Sequence, residues 1–110
     1  YVKELRRLIE EEEVVMIGPI RQEVLSGIKS EEMYFQLREK LRAFPSRRLN
    51  DVIYELGASF FNICRRNGIQ GSHTDFLICA CSVEWEVGIL SKDKDYSLYS
   101  KYIPIEHVKI

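Results

Sequence analysis

Residues 68–96 read GIQGSHTDFLICACSVEWEVGILSKDKDY, and the way this stretch divides decides the fold. Ser72 and Asp75 form a Ser-x-x-Asp start that resembles a capping box, although Asp is shorter than the usual Glu or Gln. Phe76 to Cys81 is apolar without a break, and Val83 and Trp85 continue the pattern. A six-residue apolar run also suits a strand. The cap before it and the pattern beyond it predict a helix instead, buried on most sides. Val87-Gly88-Ile89-Leu90 then reads as a short buried strand, ended by Ser91-Lys92-Asp93-Lys94-Asp95, with Asp95 opening a short helix that contains Leu98 and Tyr102. The stretch thereby places two carboxylates on rigid elements, Asp75 at a helix start and Asp93 directly after a strand.

Upstream, Leu49, Val52, Ile53, Leu56, Phe60, Ile63 and Cys64 keep a helical stripe over four turns, and Asn67-Gly68 closes it. Gly57, Ala58 and Ser59 are small enough to let another helix approach that one closely. Before it, Ser30 caps a helix with Glu31 and Glu32 in its first turn; Tyr34, Leu37, Leu41 and Phe44 mark the buried face, and Pro45 stops it. Val14-Val15-Met16-Ile17 reads as a buried strand that turns through Gly18-Pro19 into a helix bearing Ile20, Val24 and Ile28 on one face, with Glu23 beside that face. Val2, Leu5, Leu8 and Ile9 predict a short amphipathic helix with the solvated acidic run Glu10–Glu13 at its end. His107–Ile110 reads as a last short strand.

The 110 residues are 45% hydrophobic, enough for one core and too few for two ordinary domains. Residues 1–110 are therefore read as a single domain. A net charge of -1 gives no bulk attraction for nucleic acid. It is compatible with a locally basic stretch, Arg38, Lys40, Arg42, Arg47 and Arg48, read first as a solvated helix face and second as a rim that touches RNA phosphates. Cys64, Cys79 and Cys81 are odd in number and lack zinc-site spacing, so they read as reduced core thiols of an intracellular, cytoplasmic protein. No apolar run approaches the ~20 residues that cross a bilayer.

Strands alternating with helices imply parallel pairing and an α/β fold, a three-layer α/β/α sandwich with a short parallel sheet. In such sheets the ligand crevice lies beyond the carboxyl ends of the strands. Glu23 and Asp93 each follow a predicted strand, and Asp75 starts a helix that can lie at the same edge. Converging carboxylates repel one another unless a cation joins them, and oxygen-only donors suit Mg²⁺ or Mn²⁺. Such an ion activates water and steadies phosphoryl charge without a Ser, Cys or His nucleophile, so phosphodiester hydrolysis follows as the expected chemistry. Of the two histidines, His73 and His107, His73 reads as a polar helix-entry residue near that crevice.

Three motifs in this order, GPIRQEVLSG, RRNGIQGSHTDFLICA and GILSKDKDYS, resemble the PIN-domain ribonucleases, in particular the VapC-type toxins of toxin–antitoxin pairs. The resemblance runs from Val14 onward. It implies a PIN-like fold in which Glu23, Asp75 and Asp93 are the catalytic acids, with Asp95 sharing the metal-binding role of Asp93. Ser91 and Thr74 match supporting residues beside those acids. It also implies Mg²⁺ or Mn²⁺ as cofactor, RNA as substrate, a cognate antitoxin as partner, and a homodimer. The family opens with a strand ending in Asp, and no such segment precedes Tyr1. The sequence is therefore expected to lack an N-terminal strand and a fourth acid, and a non-catalytic PIN-like interaction domain is the alternative that this departure leaves. A phospho-acceptor receiver domain fits less well, because its pattern does not include the apolar helix at Phe76 or the late Asp-Lys-Asp.

Overall fold

The computed structural model describes residues 16–91 and 93–109, and the chain forms two compact units that divide between Arg48 and Leu49. The predicted first helix and its acidic run lie outside the described residues, as do Val14 and Val15.

In the unit from Leu49 onward, helix α3 spans Asp51–Arg66 and helix α4 spans His73–Glu84. Asn50 caps α3 by accepting from the Ile53 N–H at 3.0 Å. The chain leaves α3 through Gly68, whose φ of 75° is a conformation that costs glycine little. Ile53, Gly57, Phe60 and Cys64 are the buried line of α3. Val52, expected on that line, is 55% exposed. Gly57 faces α4, where an added Cβ would stand 3.6 Å from Leu77 Cα and from the Phe76 carbonyl oxygen. Ala58 and Ser59 are exposed, so of the three small residues Gly57 alone sits at the packing surface.

Residues 73–84 are helical, as the cap predicts, and Phe76, Cys79, Ala80, Cys81 and Ser82 are buried. The Ser82 hydroxyl donates to the Val87 carbonyl, and the Val87 N–H returns to the Ser82 carbonyl at 3.0 Å. These bonds turn the chain into strand β1, Ile89–Ser91, which pairs in parallel with strand β2, His107–Lys109. The register sets Ile89 against His107 and Ser91 against Lys109. Between them lies a short helix α5, Lys94–Tyr99, with Tyr96 and Tyr99 buried; Tyr102 falls beyond its end. All three cysteines are free and buried.

In the unit up to Arg48, helix α1 spans Gly18–Leu25 and helix α2 spans Glu31–Leu41, and neither buries a residue. Ser30 caps α2 as predicted, accepting from the Met33 N–H at 3.3 Å. Helix α2 ends at Leu41, four residues before Pro45, and α1 ends before Ile28 with Gly27 at φ 84°. Arg21 joins the two helices. Its guanidinium donates to the Ser46 hydroxyl at 2.9 Å, to the Leu41 carbonyl at 3.3 Å and to the Phe44 carbonyl.

The three-layer α/β/α sandwich is not the architecture of the described residues, which are mostly helical with one two-stranded ladder. Met16 and Ile17 join no ladder, and Ile17 serves instead as the N-cap of α1. Two strands of three residues, each about 10 Å long at ~3.3 Å per residue, cannot form a layer that separates two sheets of helices.

Candidate functional site

Asp75, Asp93 and Asp95, the acids that the sequence singles out from the unit beginning at Leu49, lie around α5. Asp75 is the third residue of α4, and its carboxylate completes a capping box: the Ser72 hydroxyl accepts from the Asp75 N–H at 3.0 Å, and Asp75 Oδ2 accepts from the Ser72 N–H at 3.1 Å. This local geometry fixes the half-buried side chain at a helix start, where the macrodipole also favours negative charge. The Tyr96 hydroxyl donates to Asp75 Oδ1 at 3.3 Å, and the Tyr99 hydroxyl lies 3.4 Å from Oδ2.

Asp93 is the N-cap of α5 and accepts from the Asp95 N–H at 2.9 Å; Asp95 stands exposed in the first turn. Asp93 therefore comes two residues after β1 ends, rather than directly after it. The three carboxylates share an electrostatic neighbourhood. Burial pushes the Tyr99 hydroxyl well above the ordinary tyrosine range, and the charges of Asp75, Asp95 and Asp93 push it further. Burial, then Asp75, do the same to Tyr96. The Cys79 thiol is pushed up to about 12, first by burial and then by Asp75, so it stays protonated and unreactive.

Thr74 is half-buried at the second position of α4, and Ser91 ends β1 opposite Lys109. His73 is exposed and stacks on the Phe61 ring, with centroids 4.7 Å apart and planes 14° from parallel. His107 joins β2 to α5 through a 2.8 Å bond between its Nδ1 and the Ser97 hydroxyl. Glu23 belongs to the other unit, exposed on α1. In that unit the basic stretch is partly neutralised, since Glu39 pairs with Arg38 at 3.3 Å and with Arg42 at 3.1 Å.

Asp75, Asp93 and Asp95 offer only carboxylate oxygen, the donor type that Mg²⁺ and Mn²⁺ take. Their chemistry fits such an ion. Their spacing is not that of a preformed site, because among the described residues no three His, Cys, Asp or Glu side chains are grouped to hold one. Tyr96 and Tyr99 are the site residues that sequence reasoning missed. The available signal was two tyrosines at i and i+3 on a short helix after the acids: a buried tyrosine needs a partner for its hydroxyl.

No family model matches the chain. It is 29% identical over 102 residues to the VapC ribonuclease Mb1587 of Mycobacterium bovis, a match covering 89% of this chain and 76% of that protein. It matches ribonuclease VapC11 of Mycobacterium tuberculosis with the same identity and coverage. No helix among the described residues is long and apolar enough to cross a membrane. The chain is thus similar along most of its length to VapC ribonucleases, and this moderate identity supports a VapC-like family.

Proposed function

We propose that the chain is an endoribonuclease toxin of a toxin–antitoxin pair, hydrolysing RNA phosphodiester bonds at an acidic site that uses Asp75, Asp93 and Asp95. The observation that carries this reading is the similarity to VapC ribonucleases over 89% of the chain. A match of that extent leaves only chain ends outside it, so it spans Glu23, Asp75, Asp93 and Asp95 wherever it begins.

The local geometry supports the same reading. Asp75 is held by backbone and side-chain donors at a helix start, and its charge and those of Asp93 and Asp95 act together on Tyr99. Asp75, Asp93 and Asp95 would hold Mg²⁺ or Mn²⁺, which when bound supplies an activated water and neutralises phosphoryl charge. Asp75 contributes a fixed carboxylate to that set. Asp93 and Asp95, exposed at the start of α5, would contribute further carboxylates. A cognate antitoxin and a second copy of the chain are the partners that belong to this reading.

The test is cleavage of single-stranded RNA by the purified protein with Mn²⁺ or Mg²⁺ and with a chelator. Cleavage that the chelator abolishes supports the assignment. RNA left intact at high enzyme concentration with either ion refutes it, and leaves the non-catalytic interaction domain in its place.

A further inference from the structure

Two tyrosines face the Asp75 carboxylate, and the reading above gives neither of them a part. Tyr96 is 6% exposed and Tyr99 is fully buried, so neither hydroxyl has much water to bond with. Buried hydroxyls take protein acceptors. For Tyr96 that acceptor is Asp75 Oδ1; for Tyr99 it is Asp75 Oδ2 together with the Gln70 carbonyl, 3.5 Å away. These contacts are long for O–H···O bonds, and the burial of both hydroxyls is what gives them weight.

The loop before α4 is shaped to admit them. A Cβ at Gly71 would run into the Tyr99 hydroxyl and stand 2.8 Å from Phe76 Cε2, so Tyr99 reaches this position only because residue 71 has no side chain. Packing alone does not require the hydroxyls. The Tyr99 ring already lies 4.8 Å from Phe76 and 5.7 Å from Tyr96, centroid to centroid, and phenylalanine rings would make the same contacts.

We propose that Tyr96 and Tyr99 are positioning residues for Asp75, holding its carboxylate in one orientation. Oδ2 faces two donors, the Ser72 N–H and Tyr99, whereas Oδ1 faces one. A carboxylate oxygen accepts about two hydrogen bonds, so Oδ1 is the oxygen with room for a cation. That consequence rests on the reading of Asp75 as a cation-holding acid; the hold of the tyrosines on Asp75 does not.

The experiment compares the wild-type chain with Tyr96→Phe, Tyr99→Phe, the double variant and Gly71→Ala, each checked for a native amide spectrum. Three-bond couplings from the backbone nitrogen and carbonyl carbon to Cγ of Asp75, measured without cation, report its χ1 rotamer. One rotamer is expected in the wild type and averaged couplings in the double variant. Gly71→Ala, which displaces the Tyr99 hydroxyl while leaving both tyrosines in the chain, should move the couplings the same way and serves if the double variant does not fold. Couplings unchanged in the variants that fold overturn the proposal. Mn²⁺ binding, followed by electron paramagnetic resonance, separates the second claim: loss of an outer hydrogen bond should weaken it about tenfold. Averaged couplings beside Mn²⁺ binding that Asp75→Asn leaves intact would uphold the positioning and refute the cation reading.

Discussion

Residues 49–109 and residues 16–48 are held together by different forces. The first unit is built on apolar burial: Ile53, Phe60, Cys64, Phe76, Cys79, Ala80 and Tyr99 are all 5% exposed or less. The second buries Met16 and Ile17 ahead of α1, but its two helices bury no residue, and Arg21 ties them through three hydrogen bonds to the end of α2 and the segment after it. Their candidate acids differ in the same way. Asp75 is embedded in a cap and a pair of buried tyrosines, while Glu23 is an exposed helical side chain with no hydrogen bond or ion pair among the described residues. An acid fixed by its unit's core cannot be changed without cost to the fold, whereas an exposed acid can be changed for its chemistry alone.

The largest effect should come from the apolar core. Phe76→Ala should lower unfolding free energy by about 3–5 kcal/mol in denaturant titration, because Phe76 is 1% exposed and packs on Phe61 and Tyr99. Met33→Ala, at a residue 61% exposed, should change it by less than about 0.5 kcal/mol. Equal effects would remove the contrast between packed and unpacked helices.

Arg21→Ala comes next. Hydrogen bonds from a charged group are each worth about 1.5–3 kcal/mol at most, and partial exposure of Arg21 should bring the total to about 2 kcal/mol. The loss should show as faster amide exchange in residues 18–48, with the core amides of α3 and α4 unchanged. Faster exchange throughout the chain would mean that the two units are not separately held.

Smaller again is the difference between the acids. Asp75→Ala removes a capping-box partner and should cost about 1–2 kcal/mol, whereas Glu23→Ala should stay within about 0.5 kcal/mol. This reverses the expectation from carboxylate repulsion, under which neutralising one acid raises stability without metal. Tyr96, Tyr99 and the Ser72 N–H already compensate the Asp75 charge. A higher melting temperature for Asp75→Ala would contradict that.

The last effect is absent near neutral pH. The Cys79 thiol is neutral when protonated, and its folded value, about 12, is raised above the ordinary value of 9.0 by burial. The folded state therefore binds more protons than the unfolded state between about pH 9 and pH 12, and stability is full below that window and falls as pH rises through it. Cys79→Ala should flatten this part of the stability profile. Identical slopes in both proteins would show that Cys79 is not held neutral by the fold.

Much of the local structure was legible in the sequence because it depends on neighbouring residues. Ser72 and Asp75 announce the cap, Ser30 with Glu31 and Glu32 announces α2, and the stripe through Ile53, Phe60 and Cys64 announces α3. The sheet was legible in part: the strands near Ile89 and at His107 and their parallel pairing were, its small extent was not. Short apolar runs such as Val14–Ile17 and Val87–Leu90 satisfy a strand pattern wherever they occur, but pairing depends on distant partners, and among the described residues only Ile89–Ser91 pairs, with His107–Lys109. The site was legible in part. Asp75, Asp93 and Asp95 could be singled out by their places at element starts, but the grip of Tyr96 and Tyr99 on Asp75 joins positions 21 and 24 residues apart, and no local pattern encodes it.

The most direct measurement of the central claim is single-turnover cleavage of single-stranded RNA by the wild-type protein and by Asp75→Asn, with Mn²⁺ present and folding verified for both. Loss of at least about a hundredfold in rate is expected for Asp75→Asn, which keeps the side chain's volume and removes its charge. Cleavage by Asp75→Asn at the wild-type rate would contradict the assignment of Asp75 to the reaction.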